Sequence, residues 1–344
     1  MLNATTRRQR LDHRHATSKL RAAISGIGTY LPERILTNAE IEETLDTSNE
    51  WIIERTGIRE RRIAAPEEST STLAAHAATR ACESGGFDPA DLELIIVATI
   101  TPDHLFPSTA CLVQAQIGAK KAACFDLNAA CTGFIYATTT ASAFVSSGMY
   151  RNVLVIGAET LSRFVDYEDR STCILFGDGA GAALLRASSS GQGVAYCSLG
   201  ADGERADLLQ IPGGGSKNPP SLAMIEAKQQ YMQLEGGRVF RFATEMLIKV
   251  IREAMDTCGL SRDDIGLVVP HQVNRRIIDA AMRKLDLPSD KWAINIDCYG
   301  NTSSASIPIA MVEAYERGQL EPGTNVILAG VGAGLTWGAT VVKM

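Results

Sequence analysis

Two long stretches of the chain carry no charged residue, and they constrain the fold more than any other feature. They are residues 128–150 and 325–342. A membrane-spanning helix needs about 20 mostly apolar residues. The first stretch is instead rich in Thr and Ser, and the second is interrupted by Gly330, Gly332, Gly334 and Gly338. We therefore expect both stretches to lie inside a protein core, and we predict no association with a membrane.

Short apolar runs alternate with helix-like segments along the rest of the chain. Continuous apolar runs of this kind are typical of strands covered on both faces. The predicted strands are 94–100, 123–127, 153–156, 182–185, 267–269, 326–329 and 336–342, and the predicted helices are 72–85, 131–148, 240–259, 275–285 and 306–318. This alternation predicts an α/β protein with largely parallel sheets.

The order of these segments repeats. A strand, a helix, a second strand segment near 125–128, a turn at Cys131, a helix and a further strand occur in the first half. The second half has the same order, with its second strand segment at 294–297 and its turn at Asn301. Such a repeat predicts two duplicated halves, residues 21–190 and 191–344.

The helix that follows Cys131 has small or apolar residues on all sides, which indicates burial on all sides. The corresponding helix after Asn301 begins with equally small residues. Two such helices, one from each half, can pack between two sheets that have further helices outside. The expected architecture is a five-layer α-β-α-β-α sandwich whose pseudo-twofold axis brings equivalent loops together.

The first residues differ from the rest. Residues 1–19 contain five Lys and Arg against one acidic residue and lack the apolar core of a secretory signal. We predict a disordered basic extension over residues 1–20, with a transit peptide or a wrongly assigned start codon as alternatives.

Charge and cysteine content limit the partners and the compartment. The net charge of −6 argues against a nucleic-acid-binding surface. The eight cysteines form no C-x-x-C pair, which is typical of reduced thiols in a cytoplasmic protein. We find no metal-ligand spacing.

Three residues with chemical potential directly follow predicted strands: Cys131, His271 and Asn301. Ligand sites in α/β sheets lie beyond the C-terminal strand ends. A cysteine at a helix N-terminus is expected to have a lowered pKa, while a neutral His and an Asn amide can both donate to a developing oxyanion. Each residue alone has a structural alternative, a buried thiol or a loop residue. His104 is the rival histidine, at the predicted equivalent of His271.

At these residues the sequence closely resembles the β-ketoacyl-acyl carrier protein synthase III family, condensing enzymes of the thiolase superfamily. The matching stretches are 50–61, 126–134, 176–182, 270–274, 299–306 and 332–338, and the resemblance covers residues 21–344. It implies the thiolase-like five-layer sandwich. Elongating synthases of the superfamily use a second His where this chain has Asn301.

The resemblance also implies roles. Cys131 is the implied acyl-accepting nucleophile, and His271 with Asn301 the implied pair that promotes malonyl decarboxylation. The backbone N–H groups of Cys131 and Ala333 form the implied oxyanion hole. The implied coenzyme A and substrate contacts are Trp51, Arg55, Arg170, Asn274, Arg276 and Phe106. Phe106 would close the acyl pocket of a partner subunit, so a homodimer is implied.

An acidic carrier protein needs a local basic patch on a chain of negative net charge. Two predicted helices supply candidates, for which an ordinary solvated face is the alternative. The predicted docking residues are Arg241, Lys249, Arg252, Arg276, Arg283 and Lys284.

The main hypothesis is an initiating condensing enzyme of type II fatty acid synthesis that needs no cofactor. An acyl-CoA acylates Cys131, and malonyl-acyl carrier protein then loses CO2 and condenses to give 3-oxoacyl-acyl carrier protein. The alternatives are a ketosynthase or acyltransferase of secondary metabolism on the same triad, a cysteine hydrolase, and a non-catalytic subunit. Acetyl, branched and medium-chain primers all remain open.

Overall fold

The computed structural model describes residues 20–344, so the extension predicted for residues 1–20 lies, apart from Leu20, outside the described residues. The strands are β1 Arg21–Tyr30, β2 Arg34–Thr37, β3 Glu60–Ile63, β4 Leu94–Ala98, β5 Ala123–Leu127, β6 Asn152–Glu159, β7 Gly179–Ser188, β8 Gly193–Ala201, β9 Leu209–Gln210, β10 Gln233–Leu234, β11 Ile265–Pro270, β12 Asn325–Gly332 and β13 Thr336–Lys343. The α-helices are α1 Asn38–Glu42, α2 Asn49–Thr56, α3 Thr70–Ser84, α4 Thr109–Gln116, α5 Gly133–Ser146, α6 Arg170–Cys173, α7 Leu222–Glu226, α8 Gly236–Cys258, α9 Arg275–Leu285, α10 Ile296–Tyr299 and α11 Ser306–Glu316.

Two main sheets organise these elements. The first has the order β1-β7-β6-β4-β5 and the second the order β11-β12-β13-β8, while β2–β3 and β9–β10 form small ribbons. The predicted boundary at residues 190 and 191 falls between β7 and β8, which belong to different sheets. That division into halves stays a prediction.

The sheets are mixed, so the expectation of largely parallel sheets is wrong. β4 pairs in parallel with β5 and β6, and β11 with β12, but β7 and β13 run antiparallel to their neighbours. Parallel pairing requires a crossover helix. The last strand of each half returns without one, and β13 follows β12 after only residues 333–335.

Three apolar cores separate five layers and confirm the predicted fold class. Along β4, Leu94, Ile96 and Ala98 face a central core that also contains α5, α11 and the second sheet. The alternate residues Ile95 and Val97 face an outer core shared with α3 and α4. A third core joins the far side of the second sheet to α8 and α9. Because α5 and α11 are covered by both sheets, charged side chains are absent from α5 and from the start of α11.

One part of the repeat was predicted wrongly. Residues 294–297 do not form a strand, and helix α10 occupies much of that segment. The Gln272 side chain takes the place of a strand ladder: it donates to Ala293 O at 3.1 Å and accepts from Asn295 N at 3.1 Å. On this side of β11, opposite β12, an isolated bridge joins Val268 to Trp292. Within residues 20–344, no helix is long and apolar enough to cross a membrane.

Candidate active site

The turn that carries Cys131 joins β5 to α5. A 3-10 helix, Ala130–Thr132, precedes α5, and Ala130 adopts the left-handed region with φ of 47°. The Ala130 N–H donates to Asn128 Oδ1 at 3.4 Å. Left-handed backbone is unfavourable for a residue with a Cβ and is found where the surroundings enforce it. The turn places the thiol at a fixed point, 6% exposed.

The turn that carries Asn301 has the same construction. A 3-10 helix, Ser303–Ala305, precedes α11, and Ser303 has φ of 48°. Its N–H donates to Asn301 Oδ1 at 2.8 Å, so the amide NH2 group of Asn301 stays free for another acceptor. The Asn301 N–H donates to Leu175 O at 2.8 Å. The bond from Ser303 holds the Asn301 side chain by its oxygen and does not use the side-chain NH2 group. The backbone bond to Leu175 holds the turn itself.

A cavity of about 330 Å³ opens above the two turns. Cys131, Ser303 and Ala333 contribute to its wall, while His271 and Asn301 are not among its lining residues. The remaining lining residues are mostly apolar: Ile100, Asn128, Ala130, Leu161, Phe176, Ala206, Leu209, Gln210, Ile211, Met232 and Gly334. A cavity of this size and lining suits a small acyl group.

His271 lies one residue beyond β11 and is 1% exposed. Gly330 separates it from the cysteine turn: a Cβ at Gly330 would lie 3.3 Å from His271 Cβ and 3.7 Å from Thr132 Cγ2. Burial lowers the pKa of His271 to about 3, so the imidazole is neutral at physiological pH. Its Nε2 atom is buried and has no hydrogen-bond partner among the described residues.

Ser306 orients the imidazole ring. Its Oγ lies 2.7 Å from His271 Nδ1, and the Gln272 N–H donates to the same Oγ at 3.4 Å. Among residues 20–344, His271 Nδ1 is the one recorded acceptor for the Ser306 hydroxyl hydrogen, so this hydroxyl is placed to donate to Nδ1. This arrangement favours the tautomer with hydrogen on Nε2, the tautomer needed to donate to an oxyanion.

The Cys131 thiol is neutral at rest. Burial raises its pKa to about 11, although the Ser303 hydroxyl and the N–H groups of Cys131 and Ala333 act in the opposite direction. The expectation of a lowered pKa is therefore wrong. The cause is desolvation in an apolar cavity, which outweighs the favourable dipoles around the sulfur.

Both predicted oxyanion donors, the N–H groups of Cys131 and Ala333, lie close enough to the Cys131 sulfur to act on its pKa. Ala333 follows β12, and a Cβ at Gly332 would lie 3.0 Å from Cys131 N, which shows how closely the strand approaches. Thr336 Oγ1 lies 2.8 Å from Thr132 Oγ1 and 3.0 Å from Ala333 O. These bonds hold the Ala333 loop against the cysteine turn.

The predicted coenzyme A residues form a separate cluster at the surface. The guanidinium groups of Arg170 and Arg55 lie 4.8 and 5.5 Å from the centre of the Trp51 ring. Asn274 Nδ2 donates to Arg55 O at 3.0 Å and so joins α9 to α2. The structure thus brings together an aromatic face and two cations, which suit a nucleotide with phosphates.

Comparison with known proteins decides the family. The model for "3-Oxoacyl-[acyl-carrier-protein (ACP)] synthase III" matches residues 125–203, and its C-terminal counterpart matches residues 255–344. A β-ketoacyl-[acyl-carrier-protein] synthase III of Caldanaerobacter subterraneus subsp. tengcongensis is 51% identical, over 94% of this chain and 98% of the relative. The chain belongs to the β-ketoacyl-[acyl-carrier-protein] synthase III family.

Solved structures agree with this assignment. The 3-oxoacyl-[acyl-carrier-protein] synthase III of Aquifex aeolicus superposes with a TM-score of 0.88 at 45% identity, covering 94% of this chain and 100% of the other. A priming β-ketosynthase from the R1128 polyketide biosynthetic pathway superposes with a TM-score of 0.87 at 34% identity, covering 94% and 96%. The predicted resemblance, the acyltransferase class and the main hypothesis of a condensing enzyme of fatty acid synthesis are confirmed.

Two predicted residues of this synthase lie away from the cavity. Phe106 is 86% exposed, as is its neighbour Leu105 at 87%. His104 is exposed in the same loop, and its predicted equivalence to His271 is wrong. β4 aligns Ala98 with Gly157 of β6, and the corresponding residue beside Gly330 of β12 is His271. The counterpart of His271 is therefore Ala98.

The predicted docking residues are all exposed on α8 and α9, which pack against each other. Arg276 lies with its guanidinium 5.4 Å from the Phe240 ring centre and so links the two helices. Arg241 lines a cleft of about 280 Å³. The other residues of this cleft are Arg205, Leu208, Arg238, Phe242 and Glu245.

Several residues of the site were not predicted from the sequence. Asn128 and Ser303 belong to the cavity wall, and Ser306 orients His271. The matching stretches around both turns contained these residues, but only the tertiary contacts show what they touch. Among residues 20–344, no cluster of three or more His, Cys, Asp or Glu could hold a metal ion.

Proposed function

We propose that this synthase initiates fatty acid synthesis by two successive reactions at Cys131. The observation that carries the proposal is the position of the thiol, which lies near two backbone N–H groups at the wall of an apolar cavity. A donor tautomer of His271 and the free NH2 group of Asn301 support the second reaction.

In the first reaction the Cys131 sulfur attacks the thioester carbon of an acyl-CoA. The N–H groups of Cys131 and Ala333 stabilise the oxyanion that forms. The carbon–sulfur bond to coenzyme A then breaks, and coenzyme A leaves as a thiol with the proton that Cys131 gave up. Since the resting group is a thiol, proton removal accompanies attack.

In the second reaction malonyl-acyl carrier protein loses CO2. The electron pair of the broken carbon–carbon bond passes to the thioester oxygen as an enolate, which His271 Nε2–H and the Asn301 amide stabilise. The enolate carbon attacks the acyl-enzyme, a new carbon–carbon bond forms, and Cys131 leaves and regains a proton. The product is 3-oxoacyl-acyl carrier protein. No metal or prosthetic cofactor takes part.

We further propose that coenzyme A binds over the Trp51, Arg55 and Arg170 cluster, with Asn274 and Arg276 nearer the cavity mouth. The exposed cations of α8 and α9 dock the acidic carrier protein. The cleft beside Arg241 supports this role because three arginines line it, although Arg205 pairs with Asp202 and Arg238 with Glu235.

The functional unit is proposed to be a homodimer. β5 is an edge strand of the first sheet, paired on one side only with β4. A second copy can satisfy the open backbone groups of such an edge. Leu105 and Phe106, two large apolar residues exposed in the single chain, suit insertion into the partner.

A role in secondary metabolism is the second candidate, and the priming ketosynthase neighbour is the observation that favours it. The identity to that neighbour is 34%, against 51% for the curated relative, and this difference favours fatty acid synthesis.

The free cysteines of the described residues support a cytoplasmic location.

Mass spectrometry of the intact protein after mixing with acyl-CoA tests the proposal. We expect one acyl group, located on the peptide that contains Cys131. A series of straight and branched acyl-CoAs then identifies the primer. Labelling at another residue, or none with any chain length, would sink the proposal, and equal activity with a non-malonyl acceptor would favour the second candidate.

A further inference from the structure

Glu159, the last residue of β6, is a completely buried carboxyl that the reaction described above does not use. One of its oxygens, Oε2, accepts three hydrogen bonds from the chain that follows β4. The donors are Thr99 Oγ1 at 3.1 Å, Ile100 N at 3.1 Å and Thr101 Oγ1 at 2.8 Å. This oxygen is therefore fully satisfied as an acceptor.

The other oxygen, Oε1, lies 2.9 Å from Ser304 Oγ. Ser304 Oγ also lies 2.8 Å from Ala98 O, a carbonyl that can only accept. A hydroxyl has one hydrogen, so Ser304 can donate to only one of these two acceptors at a time; a hydrogen on Glu159 Oε1 lets Oε1 donate to Ser304 Oγ while Ser304 donates to Ala98 O. The network is complete when Glu159 is a neutral carboxylic acid. Burial also raises the pKa of Glu159, which favours the neutral acid.

This acid contacts the active-site turn directly. Ser304 follows Ser303, whose hydroxyl lies close enough to the Cys131 thiol to lower its pKa. Both serines belong to the turn that begins at Asn301. The groups that face the carboxyl are hydroxyls and backbone atoms, and Cys131 is the titratable neighbour. Among the described residues, no Lys, Arg or His is a hydrogen-bond partner of Glu159.

We propose that Glu159 is a positioning residue for decarboxylation and condensation: as a neutral acid it joins Ser304 to the chain after β4 and so holds the Asn301 turn against Cys131. The inference rests on the proposed roles of Cys131 and Asn301. Deprotonation of Glu159 leaves Ser304 with one hydrogen for two acceptors, Glu159 Oε1 and Ala98 O, so one of the two contacts is lost, the turn loosens and condensation slows at alkaline pH.

Three variants test the inference by steady-state condensation, CO2 release and Cys131 acylation across the pH range. Glu159→Gln keeps one donor and one acceptor, so we expect kcat within about threefold of the parent and loss of the alkaline fall due to Glu159. Glu159→Asp is one methylene shorter and should lower CO2 release by about 10- to 100-fold. Acylation of Cys131 should change by less than about threefold. Ser304→Ala removes the same contact and should reproduce this split.

Asp178→Asn is the matched control, since Asp178 is equally buried but bonds to Ser162 and Ala64 instead of Ser304. It should retain the alkaline fall. The inference is overturned if Glu159→Gln has the same unfolding temperature as the parent but is inactive. It is also overturned if Glu159→Asp loses acylation and CO2 release equally. If the parent does not acylate Cys131, the proposed function has failed instead. If Glu159→Asp does not fold, Ser304→Ala decides.

Discussion

The cysteine turn and the asparagine turn are built alike and used differently. In both, an Asn side chain accepts from the N–H of a residue with φ of 47° or 48°, a 3-10 helix follows, and a buried helix begins three residues later. By this alignment Asn128 corresponds to Asn301, and Cys131 corresponds to Ser304. The first turn presents Cys131, the proposed nucleophile, to the cavity, whereas Ser304 is buried against Glu159.

A second pair of positions differs in the same sense. In the first half Ala98 packs on the start of α5, and a Cβ on Gly133 would lie only 3.0 Å from Ala98 Cβ. In the second half the corresponding positions hold His271 and Ser306, which hydrogen-bond at 2.7 Å. The same backbone arrangement thus carries a thiol in one half and an imidazole in the other. The difference lies in a few side chains, since the backbone of the two turns is shared.

Exchanging the residues at positions 131 and 304 tests the difference between the two turns most strongly. In Cys131→Ser combined with Ser304→Cys, the thiol occupies the buried position, so acylation by acyl-CoA should fall by at least about 10³-fold. Ser304→Cys alone should still acylate at Cys131. Peptide mapping by mass spectrometry locates the label, and acylation at position 304 would contradict the comparison.

Removing the imidazole tests the second pair. His271→Ala should lower CO2 release from malonyl-acyl carrier protein by about 10²- to 10³-fold and acylation by much less. Because the pKa of His271 is lowered to about 3, its neutral form persists until the pH falls toward that value. Decarboxylation by the parent should therefore show no acid limb between about pH 5 and 7. An acid limb that is seen in the parent and is absent from His271→Ala would show that His271 has a higher pKa.

Thiol reactivity distinguishes the cavity from an ordinary surface. Since burial raises the pKa of Cys131 to about 11, its alkylation by iodoacetamide should still rise about tenfold per pH unit above pH 9. The Cys131→Ser protein measures the background from the other cysteines. A plateau below about pH 9 would show that the nearby dipoles outweigh burial.

The smallest effects concern the shared backbone. Ala130→Gly and Ser303→Gly relieve left-handed strain and should each stabilise the fold by about 0.5–1 kcal/mol in denaturant unfolding. The reverse controls also form a pair: Gly148 and Gly318 have φ of 77° and 73° with open space around them, so Ala at either should destabilise by about 1 kcal/mol. If one of Ala130→Gly and Ser303→Gly stabilised the fold and the other destabilised it, the two turns would not be built alike.

The sequence predicted most of the architecture because burial leaves a mark on composition. The uncharged stretches located α5, β12 and β13, and alternation of apolar runs located β4, β6 and β11. The second strand segment at 294–297 failed because the side chain of Gln272 supplies the hydrogen bonds that a strand would make, and no periodicity reports such a substitution. The mixed sheet direction was missed because it depends on which connections lack a crossover helix.

By itself, the sequence determined the family, and it predicted the repeat and the candidate residues Cys131, His271 and Asn301. Only the tertiary structure decided their chemical states. A helix N-terminus predicted a lowered thiol pKa, but desolvation in the apolar cavity reverses the direction. Likewise, the pairing of β4 and β11 with their neighbours moved the counterpart of His271 from His104 to Ala98. Protonation and equivalence depend on what surrounds an atom, and distant segments supply those surroundings only after folding.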